Sequence, residues 1–401
     1  MMPIPSWMDW GPVARYRFDI NLIDQAGNFN GTSTSGITFT TYGYVRFAMA
    51  VNRATYYFQT GPINLAFQSF TVSGWFSPRA NMNTTLFTQC PPNARGPRRC
   101  LMMGIDIDDG CLFMDFGGFS VRGRTPIIIN QWYHVAFVYD MNNLQQIIYV
   151  NGMEDGHSEP GSTPPFIATC EPVRLGINYV GLIDEVSINN RAKSSAEILM
   201  EATLFASYSF DGDLSDNGPN GLNGSGMVMY EPVGNSGQAL AFNDNDTMFQ
   251  ANGMTIFSLG NQSFSIALKI KPFANATECN IATLSTARWC HHLIGISSSN
   301  MLLFKIGAVS LPAGTLSNSS WTRVVYSYSI MNGYQFYVNG SLIQTLHTTF
   351  TRSDVPAMLS IGGMTRPSSY CTATPGGYRG MVDNLKVYSR ELSMREISEL
   401  M

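Results

Sequence analysis

The chain reads twice, and this constrains its fold more than any other feature. Tyr16-Arg17-Phe18-Asp19, followed by Leu22, Asp24 and Asn28, returns as Tyr208-Ser209-Phe210-Asp211, followed by Leu214, Asp216 and Asn220, with 192 residues between Asp19 and Asp211. Ser69-Phe70-Thr71-Val72 returns as Ser263-Phe264-Ser265-Ile266, and Gly104-Ile105 before Leu112-Phe113 returns as Gly295-Ile296 before Leu303-Phe304. Trp132 with Tyr149-Val150-Asn151-Gly152 matches Trp321 with Tyr337-Val338-Asn339-Gly340, and Gly181-Leu182-Ile183-Asp184 matches Gly380-Met381-Val382-Asp383. The order never changes. Self-similarity on this scale indicates two copies of one domain, and it divides the 401 residues into a segment 1–12, a first copy 13–202 and a second copy 203–401.

Within each copy the dominant period is two. Phe70, Val72, Gly74 and Phe76 alternate with Thr71, Ser73 and Trp75, and Phe264, Ile266, Leu268 and Ile270 repeat the pattern, as expected of half-buried strands. Asp108-Asp109-Gly110 and Asn151-Gly152, with its twin Asn339-Gly340, tolerate positive φ and predict hairpin turns. Helical signal is confined to the copy ends, where Ser194 and Ser393 each precede a Glu at the reciprocal capping position, Glu197 and Glu396. Many strands, frequent turns and almost no helix predict an all-β chain of jelly-roll sandwiches.

Charged residues make up 13% of the chain, against about 25% in an ordinary soluble protein. That excludes a disordered chain or a long solvated helical bundle. The net charge of -4 gives no reason to expect nucleic acid or an anionic membrane as partner. The richest apolar stretch, Trp132 to Tyr139, is too short to span a bilayer. Met1 to Trp7 shows neither a charged leader nor an apolar block, so any secretory signal lies outside this numbering.

The opening Tyr-x-Phe-Asp, the Trp132-Tyr133-His134-Val135-Ala136 strand, the Tyr149-Val150-Asn151-Gly152 hairpin and the closing Gly181-Leu182-Ile183-Asp184-Glu185-Val186 strand carry a resemblance, repeated in the second copy. They resemble the laminin G-like, concanavalin A-like jelly-roll superfamily, pentraxin-like proteins included. The resemblance implies two tandem concanavalin A-like jelly-roll β-sandwiches, a fold that hosts lectins, matrix adhesion modules, carbohydrate-binding modules and some glycosidases. It also implies that the first and last strands of a copy lie side by side. Asp19, Asn28 and Asp184, and their twins Asp211, Asn220 and Asp383, are then expected to share one structural calcium per domain, an ion that takes about six to eight oxygens. The glycosidases of this fold present Glu-x-Asp-x-x-Glu on one strand. No such run occurs, Glu154-Asp155 follows a turn, and Asp106 with Asp108 has no twin, so no catalytic residue is assigned. Arg95, Arg98 and Arg99, with Arg122 and Arg124, form the basic patch for sulfated glycans that the resemblance suggests. Trp132 and Trp321 are expected in the sandwich core.

Cys90 and Cys100 match Cys279 and Cys290 at offsets of 189 and 190. This predicts one disulfide per copy, with Cys111–Cys170 as a third and Cys371 left over, either buried or bonded to another chain. Cys290-His291-His292 lacks the spaced second pair of a zinc site, and His134, replaced by Arg323 in the second copy, has no nucleophile context. Asn30, Asn83, Asn223, Asn245, Asn261, Asn275, Asn318 and Asn339 open Asn-x-Ser/Thr sequons. With the cysteines, they predict a glycosylated, secreted protein. The expectation is a non-catalytic recognition or adhesion protein that binds glycans or extracellular partners; the alternative is a self-associating subunit of an extracellular assembly, linked through Cys371 or the N-terminal segment.

Overall fold

The computed structural model describes residues 11–81, 83–91, 96–167, 171–244, 247–259, 262–273, 277–362, 371 and 377–400. The chain divides into two compact units, Met1–Ala202 and Thr203–Met401. In unit 1 the larger sheet runs Met153–His157, Gln145–Val150, Tyr133–Asp140, Phe70–Pro78, Gly181–Asn189, Ala48–Val51 and Thr38–Thr40, with Ala14–Tyr16 also paired to Gly181–Asn189. The second sheet runs Ser120–Arg122, Leu112–Asp115, Leu101–Ile105, Thr84–Gln89, Glu171–Ile177, Phe58–Ile63 and Thr32–Ser33. The first and last strands are therefore neighbours, as the resemblance implies, with Tyr16 opposite Val186.

Unit 2 repeats this plan. Phe264–Pro272 lies between Thr322–Ser329 and Gly380–Tyr388, and Leu204–Tyr208 pairs with the latter. Its second sheet has six strands, Phe249–Met254, Ala357–Ile361, Cys279–Ser285, Cys290–Ile296, Met301–Ile306 and Val309–Thr315.

The alternation read from the sequence sets the inner faces. Phe70, Val72 and Phe76 join one buried cluster with Phe87, Phe137 and Ile183, and Phe264, Ile266, Leu268 and Ile270 are buried in unit 2. The Tyr-x-Phe-Asp motif is a core plug. Tyr16 and Phe18 meet Phe58 edge-on at 4.8 and 5.2 Å, and Tyr208 and Phe210 meet Phe249 at 4.9 and 5.2 Å. To reach it, Phe18 and Phe210 adopt φ of 54° and 60°, a left-handed conformation that is costly for a bulky residue. The Asn-Gly turns form as expected, with positive φ at Asn151, Gly152, Asn339 and Gly340. Both capping boxes form at the starts of helices Ser195–Thr203 and Met394–Glu399.

Trp132 is not a core residue. It packs on the outer side of its sheet against Ala48, Ala50 and Leu182, and near Tyr44. Trp321 is half-buried.

Candidate functional site

At one rim of unit 1, three connections enclose a cleft of about 240 Å³. One wall is apolar, formed by Ile105, Ile107, Ile127 and Ile129. The polar part of the lining is Asp106, Asp109 and Asn81. The hairpin turn predicted at Asp108-Asp109-Gly110 supplies both acids, and Gly110 closes it with φ of 70° and an N–H donated to the Asp106 carbonyl at 2.9 Å. Each carboxylate uses one oxygen to shape the turn: Asp106 accepts the Asp108 N–H at 2.9 Å, and Asp109 accepts the Cys111 N–H at 2.8 Å. Arg122 from the neighbouring strand pairs with the other oxygen of each, at 2.7 Å for Asp109. One guanidinium thus bridges two acids, one nitrogen to each, and holds them side by side with charge-assisted contacts.

The apolar wall is anchored by a residue whose role is not readable from its place after an Asn-Gly turn. Asp155, buried, accepts the N–H groups of Arg124 and Thr125 at 3.0 Å each and the Thr125 hydroxyl at 2.5 Å. This ties the loop that carries Ile127 to the sheet. Glu154 instead forms an exposed pair with His157. The corresponding turn of unit 2, Ser297 to Asn300, has serines and no carboxylate, so the acid pair is particular to unit 1.

The six residues expected to hold calcium do not build an oxygen cage. Asp184 is fully buried, and its two oxygens accept the N–H groups of Val45 and Glu185, each at 2.9 Å. Burial, with the charge of Glu185 beside it, pushes its carboxyl well above the ordinary range. Asp19 accepts the Phe47 N–H and pairs with Arg46 at 3.5 Å. Asn28 is exposed, and its side-chain amide donates to the Ala26 carbonyl. In unit 2, Asp383 accepts the N–H groups of Asn235 and Ser236, Asp211 accepts that of Gln238, and Asn220 donates to the Phe205 carbonyl. In unit 1 donors and a cation take up the oxygens of Asp19 and Asp184, in unit 2 Asp383 Oδ1 is buried without a partner, and in neither unit do three acids, histidines or cysteines among the described residues gather as a metal would need, so the residues present do not fit a calcium.

Asp24 and Asp216 are the organising acids of these loops. Asp24 accepts from the backbone of Arg15, Ala26, Asn28 and Phe29, and Asp216 from that of Ser207, Gly218 and Leu222. Their recurrence at an offset of 192 residues was the available signal.

The Cys90–Cys100 disulfide forms as expected. Its twin does not: Cys290 bonds Cys371, and Cys279 is a buried free thiol. The reason is register. Cys290 stands opposite Ser285, whereas Cys279 stands opposite Ile296 at the far end of the same hairpin, about 20 Å away at strand spacing. The loop before Cys290 is shorter than the one before Cys100, so equal offsets do not mean equal places. Cys371 is therefore not left over for another chain. Cys111 is also a buried free thiol, and Cys170 lies outside the described residues.

Arg122 is committed to two acids, which removes it from the expected basic patch. Arg99 is exposed, Arg98 is half-buried, and Arg95 lies outside the described residues.

A laminin G-type family model of the concanavalin A-like lectin/glucanases superfamily matches residues 52–199 and again 238–398. The chain belongs to this superfamily. Similar solved structures include domain 4 of an extracellular arabinanase from Geobacillus stearothermophilus, in complex with arabinotriose. It is 25% identical over 47% of this chain and 97% of that one, with a TM-score of 0.40. The binding domain of Paraclostridial Mosquitocidal Protein 1 is 13% identical over 88% and 92% of the two chains, with a TM-score of 0.40. Domains LG4-5 of the mouse laminin alpha1 chain are 12% identical over 96% and 93%, with a TM-score of 0.27. No curated protein matches the sequence. No helix of the described residues is long and apolar enough to cross a membrane.

On the outer face of this first concanavalin A-like unit, helix Ser195–Thr203 covers a polar cluster. Glu201 accepts from Ser73 and from Lys193, each at 2.8 Å. Burial, the largest single influence, would raise its carboxyl, but the Lys193 charge, the nearby His134 and the hydrogen bonds from Lys193 and Ser73 together outweigh it and hold it at about 2. His134 sits beside this pair, fully buried under Trp75, with neither ring nitrogen hydrogen-bonded. Burial pushes its imidazole down to about 4 from 6.5.

The unfolded chain therefore takes up a proton first. Stability is complete above pH 6.5 and falls as the pH drops toward 4, by about 3 kcal/mol in all, at 1.36 kcal/mol per pKa unit. His134→Phe is expected to match wild-type unit 1 at pH 7, because an apolar ring removes two unpartnered polar atoms. It should exceed wild type by about 2.5 kcal/mol at pH 4.5. Denaturant melts of both proteins at the two pH values check this, and parallel pH profiles would refute it.

The described sequons share a feature. Asn30, Asn83, Asn223, Asn318 and Asn339 are all exposed. In four of them the side-chain oxygen accepts a backbone N–H: Asn30 from Asp24, Asn83 from Ile107, Asn223 from Asp216 and Asn339 from Arg323. Asn245, Asn261 and Asn275 lie outside the described residues.

Proposed function

We propose that the chain is a secreted, non-catalytic recognition protein, and that the rim cleft of unit 1 binds a neutral sugar of a glycan. The observation that carries this is the cleft's composition: isoleucines line it together with two carboxylates held in place by Arg122. A pyranose offers an apolar C–H face and an edge of hydroxyl donors. An apolar lining with a few placed acceptors is the general design of small-ligand sites. Hydrolysis needs one acid to donate a proton and a second to act as base or nucleophile. Both acids that line this cleft are salt-bridged to the same guanidinium, which supports binding without chemistry. The disulfides and the exposed sequons support an extracellular setting.

A glycan array probed with the full chain tests the reading. Asp106→Asn with Asp109→Asn should weaken retention of the bound glycan at least about tenfold, the effect of losing charged hydrogen bonds. Circular dichroism should stay unchanged, and no glycan should be cleaved. Unaltered retention in the double variant, or cleavage of the glycan, would sink the proposal.

Assembly is the second reading, favoured by one feature. The outermost strand of the larger sheet in unit 2, Ser341–Leu346, carries no charge and exposes Leu342 and Ile343, whereas open edges are commonly guarded by charge. The equivalent edge of unit 1, Met153–His157, carries Glu154, Asp155 and His157. Concentration-dependent sedimentation of the chain would support assembly.

A further inference from the structure

Three cations gather on the outer face of the larger sheet of unit 2. Lys269 stands directly opposite Arg323 on the next strand, and Lys386 pairs with Ala267, two residues before Lys269. Ile266, Leu268 and Ile270 point into the core, so the alternation turns Lys269 outward; all three cations are half-buried. Among the described residues, none of the three side chains makes a hydrogen bond or an ion pair, and Arg323 Nε is buried with no acceptor. Asp383 stands opposite Lys269 and its charge acts on the ammonium, but its Oδ2 is bound to two backbone N–H groups, its Oδ1 is buried without a hydrogen bond, and no ion pair forms between them.

Unit 1 closes the same place. Trp75 lies opposite Asp184 and His134 as Lys269 lies opposite Asp383 and Arg323. The Tyr44 ring stacks on Trp75 at 3.4 Å. Phe47 on Asp19 and Gln238 on Asp211 align Tyr44 with Asn235, so unit 2 has no ring at that position. Ser187 stands where Lys386 does. The helix acid Glu201 is replaced by Leu400 when the two capping boxes are aligned. Unit 2 has therefore gained three cations and lost both the lid and the acid.

Adjacent like charges destabilise a sheet, and burial already disfavours the charged forms, lowering Lys269, Lys386 and Arg323 from their ordinary values. Lys269 stands on the middle strand between Arg323 and Lys386, and a guanidinium fork with ammonium groups beside it complements an oxyanion.

We propose that Lys269, Arg323 and Lys386 form an oxyanion-binding site in unit 2 that takes a sulfate, phosphate or carboxylate group. The site is distinct from the rim cleft and stands whether or not the cleft binds sugar.

Calorimetric titration of the full chain at constant ionic strength tests it, with inorganic sulfate, inorganic phosphate, glucuronate and a sulfated disaccharide as probes. Saturable one-site binding of at least one probe is expected. Arg323→Met and, separately, Lys386→Met should weaken it at least about tenfold, the loss expected for one charged hydrogen bond. Arg98→Met with Arg99→Met should leave it unchanged. Tighter binding of the disaccharide than of free sulfate would place the oxyanion on a glycan, and equal affinity would place it on a free ion; either supports the site. No saturable binding by any probe, or binding indifferent to both variants while their circular dichroism matches wild type, would overturn it.

Discussion

Replacing Cys290 and Cys371 together by alanine is expected to lower the stability of unit 2 by about 4.5 kcal/mol. The bond joins residues separated by 81 positions, and in the chain-entropy account closing such a loop removes that much freedom from the unfolded state. Cys90→Ala with Cys100→Ala releases a span of only 10 residues in unit 1 and should cost about 3 kcal/mol on the same scale. The informative control is Cys279→Ala. Its thiol is buried and free, and burial pushes it up to about 12, so it is inert and its loss should cost about 1 kcal/mol as a small cavity. Hydrogen exchange resolved by peptide reads each unit separately. A Cys279→Ala effect equal to that of Cys371→Ala, or a non-reduced peptide linking Cys279 to Cys290, would show the pairing to be wrong.

Asp24→Ala should destabilise unit 1 by about 4 kcal/mol. The side chain is 2% exposed and gathers four backbone N–H groups at 2.7 to 3.0 Å. Each donor left unsatisfied costs about 1–3 kcal/mol, and water entering the opened loop recovers part of the sum. For a unit of this size that is a fall in Tm of about 10 °C. Asp24→Asn retains one oxygen and should fall midway, and Asp216→Ala should act on unit 2 in the same way. If Asp24→Ala stayed within 1 kcal/mol of wild type (about the worth of one net hydrogen bond), the loop would not depend on this acid.

What could be read from the sequence was what repeats locally. The alternation at Phe70 and Phe264, the Asn-Gly turns, the serine caps and the duplication follow from spacing within a few residues, and each survives in the fold. Cys290 and Cys371 meet only because distant strands share a sheet, and no offset encodes that. The acid set Asp19, Asn28 and Asp184 was grouped by resemblance. The structure places two of these near each other but fills their oxygens with Val45, Phe47 and Arg46, residues that no motif points to. The change from Trp75 and His134 to Lys269 and Arg323 was visible as letters. It became chemistry once the register showed that the two positions face each other.

The sequon asparagines divide one amide between two tasks. A sugar attaches at the side-chain nitrogen, while at Asn30, Asn83, Asn223 and Asn339 the fold already holds the oxygen against a backbone N–H. A glycan at any of these would leave the surface along a direction set by the loop, with little swivel at its root. At Asn339 that root lies one turn before the uncharged edge Ser341–Leu346. There the sugar would act as a fixed bumper, guarding unit 2 against added strands as Glu154 and His157 guard unit 1.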